Sequence, residues 1–179
     1  MLNMDNKNNQ YQGNLVNYSQ SSYDAFSRIR VSSPHTLFQI SHNNGKQNTL
    51  MCEKLLNGGT STYLSNELAV DLTVSTTDNS EVIQQSREYI TYQSGKSLLI
   101  LLTGVLNSNS NGNDCLTRIG YFDDDNGIYF QYVNRTFSVV KRSKVSGSVF
   151  NTIVNQSDWN IDSLDGSGIS GMIINPSKA

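Results

Sequence analysis

The sequence predicts an all-β protein, an antiparallel β-sandwich of jelly-roll-like character behind a flexible polar N-terminal arm. Three observations point there. From Asp24 onward the apolar residues fall mostly in two-residue alternation, the period of a strand with one buried face. They come in short runs punctuated by Asn, Gly, Ser and Asp. No stretch holds the 3.6-residue period of an amphipathic helix, so many short strands with frequent turns favour a sandwich over a helical or α/β fold.

The chain of 179 residues suits one ordinary domain, read here as 24–179. Residues 1–23 form an Asn- and Gln-rich arm with too little apolar surface to offset its ordering entropy. The first clear strand is Leu68–Val74, with Leu68, Val70, Leu72 and Val74 on one face. Val82–Tyr92 follows, β-branched and aromatic with polar residues between. Ser97–Leu106 (SLLILLTGVL) is apolar on both faces, as in a strand buried between two layers, and its length and Gly104 argue against a helix. Further strands are expected at Leu116–Phe122, Ile128–Val133, Thr136–Val145 and Ser148–Val154. Asn126-Gly127 predicts a type I′ hairpin turn between the first two of these, and Gly147 a turn between the last two.

Charged residues make up only 16% of the chain, whereas Asn and Ser together supply about a quarter of it. That excludes a coiled coil, which is rich in charged helix formers. A net charge of -2 provides no field to draw in phosphate backbones, so nucleic acid is not an expected partner. The N-terminus lacks the apolar core of a signal peptide, and Ser97–Leu106 is about half the length of a membrane helix. No membrane partner is expected. Cys52 and Cys115 form no CxxC pair and read as thiols rather than a disulfide framework. Asn17, Asn134 and Asn155 open glycosylation-type triplets, read as chance matches in an Asn- and Ser-rich chain.

Several motifs invite chemistry and fail on context. Gly166-Ser-Gly-Ile-Ser-Gly171 matches GxGxxG, but too few residues follow for the helix that would meet a pyrophosphate. Gly95-Lys96-Ser97 resembles the end of a phosphate-binding loop, yet Ile90 stands where that loop needs its first Gly, so a tight turn is expected. Asp123-Asp-Asp-Asn-Gly127 lacks the glycine register and closing Glu of a calcium loop and reads as an acidic hairpin tip. Asp162 and Asp165 form a second acidic loop. His35 and His42 do not combine with the cysteines in zinc spacing. No serine is marked as a nucleophile. Arg135, Lys141, Arg142 and Lys144 are the one basic cluster; on a strand Lys141 faces away from Arg142 and Lys144, which suits a solvated, aggregation-resistant edge. No catalytic, cofactor-binding or metal residues are therefore assigned, no cofactor is expected, and the chain is read as not an enzyme.

Four ordered segments carry a resemblance. They are Asp24-Ala-Phe-Ser-Arg-Ile-Arg-Val-Ser32 with Pro34 and Thr36-Leu-Phe38; Tyr92-Gln-Ser-Gly-Lys-Ser-Leu-Leu99; Arg118-Ile-Gly-Tyr-Phe122 with Asn126-Gly-Ile128; and Trp159-Asn160 with Leu164-Asp-Gly-Ser-Gly168. In this order they resemble a family of virion structural proteins of tailed bacteriophages and large DNA viruses. Ser27, His35 and Ser94 depart from that family's pattern, which also continues beyond the last residue here, so 24–179 would be its N-terminal part. The resemblance implies a non-enzymatic component of a virus particle, such as a minor capsid, vertex, decoration or tail-associated protein. It would be made in the host cytoplasm, reside in the virion, and contact other virion proteins and copies of itself. The competing reading is a module for a host glycan or receptor, with Tyr121, Tyr129, Tyr132 or Trp159 stacking on sugar rings; core packing is the preferred role for those rings.

Overall fold

The computed structural model describes residues 35–91, 93–106 and 115–178; the arm 1–23, the Asp24–Ser32 segment and Tyr92 lie outside them. Among the described residues the chain forms eight strands and a single 3₁₀ turn at Gln156–Asp158, and every strand pair is antiparallel. The all-β antiparallel class predicted by the sequence is present. The chain divides into two compact units between Leu98 and Leu99.

The first unit is built on a nested ribbon. β1 (Met51–Leu56) pairs with β4 (Glu81–Ser86), and within that pair β2 (Thr60–Leu64) pairs with β3 (Ala69–Thr73). The two arms differ in length where the ribbon is interrupted: 57–59 on one side faces 74–80 on the other. Asn57 binds this uneven junction. Its side-chain amide donates to the carbonyls of Asp78 and Asn79, both at 3.1 Å, and its own carbonyl accepts from the Ser75 hydroxyl at 2.7 Å. Asn57 itself takes a left-handed φ of 48°, which asparagine tolerates better than most residues.

The second unit holds a four-stranded meander, β5 (Thr117–Phe122), β6 (Gly127–Val133), β7 (Thr136–Val145) and β8 (Ser148–Asn155), in sequential order with no Greek-key crossing. Its core is small. Tyr129, Phe137, Val140 and Leu106 are the hydrophobic side chains buried among the described residues. Tyr129 and Val140 are direct cross-strand partners on one face of the sheet. On the other face Phe137 stacks on Phe130 at 5.4 Å and meets the edge of Trp159 at 6.0 Å, the offset and edge-on arrangements that ring quadrupoles favour.

Two tight turns shape the meander. Asn134-Arg135, with φ of 49° and 62°, joins β6 to β7, and Ser146-Gly147, with φ of 54° and 83°, joins β7 to β8. Both are two-residue turns with two positive φ values, the signature of type I′. The second is where Gly147 predicts it.

Four expectations are corrected. Asn126-Gly127 does not form a two-residue turn, because the β5–β6 loop is four residues, Asp123 to Asn126. There the Asp123 carboxylate accepts from the amides of Asp125 at 2.8 Å and Asn126 at 2.6 Å, a side-chain turn that displaces the backbone I′ geometry. The strand expected over Val82–Tyr92 stops at Ser86, where its partner β1 begins and pairing ends. Ser97–Leu106 is not a buried strand: it joins none of the sheets among the described residues, and only Leu106 is buried. Its apolarity on both faces names no side to bury. Finally, β7 is no edge, since β6 and β8 flank it, and two of its basic residues, Arg142 and Lys144, are drawn into side-chain contacts. Conversely, alternation does not predict β1 and β2, because Met-Cys-Glu-Lys-Leu-Leu and Thr-Ser-Thr-Tyr-Leu lack a clean two-residue period; the Asn57-Gly58-Gly59 break between them is the readable signal.

Candidate functional site

The described residues of the second unit expose many apolar side chains, Ile128, Phe130 and Val145 on the sheet among them, and three stretches of the chain stand out. The first is the segment after Leu98: Leu99 and Leu101 are 72% and 83% exposed, and Ile100, Leu102 and Val105 are also exposed. The segment is hydrogen-bonded to its surroundings at its end. The Leu106 amide donates to the Pro176 carbonyl at 2.9 Å, and the Leu106 carbonyl accepts from the Thr117 hydroxyl at 2.6 Å. The second place is β8, an edge strand on which all eight residues are exposed, Val149, Phe150, Ile153 and Val154 among them.

The third is a loop after the 3₁₀ turn, whose polar interior holds its apolar residues outward. The Asp162 carboxylate accepts from the Leu164 amide at 2.8 Å with one oxygen and from the Ser170 amide at 2.9 Å with the other. Asp165 accepts from the amide and hydroxyl of Ser167, at 2.9 and 2.6 Å. Backbone bonds from Ile174 to Leu164 and from Gly166 to Met172 close the base. These donors stabilise the ionised carboxylates. Hydrogen bonds from Ser170 hold the Asp162 carboxyl below the ordinary aspartate range, and those from Ser167 do the same for Asp165. Gly166 and Gly171, at φ of 90° and 63°, allow the reversals. Ile161, Ile169, Met172 and Ile173 stand exposed around this frame. The GxGxxG string thus belongs to a glycine loop, as its context predicts.

Polar contacts explain the other residues that drew attention. Arg142 donates to Asn151 Oδ1 at 3.2 Å, to the Asp123 carbonyl at 3.1 Å and to the Tyr129 hydroxyl at 3.2 Å. The guanidinium also lies over the rings of Tyr129 and Phe122, while Arg118 lies over Tyr129 at 5.5 Å. Lys144 pairs with Asp125 at 2.9 Å, which raises the lysine above its ordinary range. The basic cluster therefore clamps the β5–β6 tip, with Lys141 on the opposite face and Arg135 in the turn. Tyr129 is 2% exposed and Trp159 packs on Phe137, so both rings work inside the unit; Tyr121 and Tyr132 are half-buried on strands.

In the first unit a polar cluster bridges the ribbon. Glu53 accepts from the Ser61 hydroxyl at 2.7 Å, pairs with the Lys46 ammonium at 3.2 Å, and lies near the Gln84 amide; Lys46 also donates to the Ser61 carbonyl. The Ser61 bond, seconded by Lys46, holds Glu53 below the ordinary glutamate range. His42 meets the Gly45 carbonyl at 3.3 Å, while His35 is exposed. Gly95 makes the tight turn expected there, with the Lys96 amide donating to the Gln93 carbonyl. Cys52 and Cys115 are free thiols. Among the described residues no three metal-ligating side chains converge, and no helix is long and apolar enough to cross a membrane.

The chain matches no family model, no curated protein and no solved structure.

Proposed function

We propose that this chain is a non-enzymatic structural component of a virus particle, a minor capsid, vertex, decoration or tail-associated protein that acts through protein–protein contacts. The order of the four virion-like segments motivates the particle. The observation that carries the mode of action is the apolar surface: Leu99, Leu101, β8 and the Asp162 loop leave their large side chains in water. Monomeric soluble proteins seldom leave contiguous apolar patches beyond a few hundred Å². Burying such surface against neighbours is the favourable use of it, at roughly 25 cal/mol per Å² of apolar area. Neutral Asn and Ser around it hydrogen-bond across a wet interface without the desolvation cost of charge.

The glycan reading has less support, because Tyr129 is buried against Phe122 and Trp159 is packed against Phe137. The test is to purify intact particles, quantify this chain by mass spectrometry and locate it in a cryo-electron microscopy map. A fixed copy number in washed particles is expected. Its absence from particles, or a reproducible glycan-array signal for one sugar class, overturns the reading.

A further inference from the structure

We infer that β8 is a self-association edge, and that two copies of the chain join their four-stranded sheets through antiparallel β8–β8 pairing with Thr152 on the two-fold axis. The inference deepens the proposed mode of action and rests on it.

The edge itself is the first argument. Natural edge strands discourage pairing with charge, proline, bulges or brevity. β8, Ser-Val-Phe-Asn-Thr-Ile-Val-Asn, has none of these in eight residues, and β7 pairs with it in unbroken register from Ser138↔Asn155 to Val145↔Ser148. The opposite edge differs: β5 carries Arg118, and its first residue binds Leu106.

Self-complementarity selects the occupant. About a two-fold axis at Thr152 each β8 residue opposes the one equally far on the other side of Thr152, which sets Phe150 against Val154 twice and Thr152 against itself with no charge in the seam. The nearest cations on the Thr152 face are Lys141 and its copy. Lys141 is the β7 partner of Thr152, so the two lie three strand spacings apart, about 14 Å, which exceeds the screening length at physiological salt.

Symmetry then restricts the register. A two-fold axis relating neighbouring antiparallel strands stands normal to the sheet and keeps the same face up in both copies. Directly opposed residues must share a face, so one residue opposes itself. Near the middle of β8 that residue is Asn151 or Thr152. Thr152 at the axis places Phe150 against Val154 of the second copy, twice, with Thr152 against Thr152. Aromatic–β-branched and Thr–Thr pairs are among the favourable cross-strand combinations. Asn151 at the axis would instead set Phe150 against Thr152 and Ser148 against Val154. The Thr152 register also continues an apolar face: Phe150, Val154, Val145, Phe130 and Ile128 lie on it, and all five are exposed. An isologous seam of this kind closes on itself as a dimer.

The experiment uses the full chain in solution. Sedimentation equilibrium across a concentration series is expected to show a monomer–dimer equilibrium. Thr152→Lys, an exposed position that tolerates the side chain, is expected to abolish the dimer, while Thr62→Lys on the exposed part of β2 leaves it intact. Under mild oxidation Thr152→Cys is expected to give a covalent dimer in several-fold higher yield than Asn151→Cys, with the parent chain setting the background from Cys52 and Cys115. A monomer at every concentration, a trimer, a dimer that survives Thr152→Lys, or preferential cross-linking through Asn151→Cys overturns the inference. A monomeric chain that is nevertheless found in particles defeats this seam and leaves the proposed function standing; a Thr152-centred dimer absent from particles does the reverse.

Discussion

The carboxylate of Asp162 sits directly over Gly168, in the space that a side-chain carbon at that position would occupy. The contact explains why a glycine stands there without a left-handed φ. Its backbone passes beneath an aspartate that organises the loop from Leu164 to Ser170.

Gly168→Ala is therefore expected to push Asp162 off its two amide donors. Hydrogen exchange at Leu164 and Ser170 should rise, while β6 and β7 keep their protection, and Asp162→Asn should produce a milder version. Unchanged protection at both amides in Gly168→Ala would show that the carboxylate has room to move.

The same loop should respond to acid in a defined sense. Asp162 and Asp165 are both held below the ordinary aspartate range in the folded chain, so their contribution is complete above that range and is lost as pH falls through the depressed values. Amide shifts of Ser167 and Ser170 followed by NMR should titrate below the ordinary aspartate range. Lys144, raised by Asp125, has the opposite sign, and its contribution fades as pH rises through the elevated lysine value.

Core and surface substitutions should separate sharply. Val140 is fully buried against Tyr129, so Val140→Ala removes two packed methyl groups and is expected to cost about 2 kcal/mol in urea unfolding. Ile169 is 96% exposed, and Ile169→Ser should change stability by less than about 0.5 kcal/mol.

Arg135→Gly is expected to stabilise the second unit by about 1 kcal/mol, although it deletes a side chain. Arg135 is held at a φ of 62°, a conformation that costs an L-residue roughly 1–2 kcal/mol, and Asn-Gly is the preferred pair for this turn. Thermal denaturation checks the sign.

In the first unit, Glu53→Gln keeps the shape but removes the charge that Ser61 and Lys46 serve. A loss of about 1 kcal/mol is expected, since hydrogen bonds to charged groups exceed neutral ones by about that much. Because Glu53 is depressed, the difference between Glu53→Gln and the parent should shrink as pH falls through the glutamate range.

Local chemistry alone determined that this chain is built of antiparallel strands, and it placed β5, β6, β7 and β8 within a residue at most boundaries, because alternation and turn residues act over a few positions. The Gly147 turn and the facing of Lys141 away from Arg142 and Lys144 follow from the same short-range geometry. Pairing partners, by contrast, are a matter of distance in space. The nested β1–β4 ribbon, the Glu53 cluster and the loss of strand in Ser97–Leu106 depend on which segments find hydrogen-bonding neighbours, and no window of sequence contains that information. The Asp123 turn was decided by competition between a side chain and the backbone for the same amides. The exposure of Leu101 and Phe150 was likewise a tertiary outcome: an apolar residue states a preference for burial, and only the arrangement of the other strands decides whether this chain can satisfy it alone.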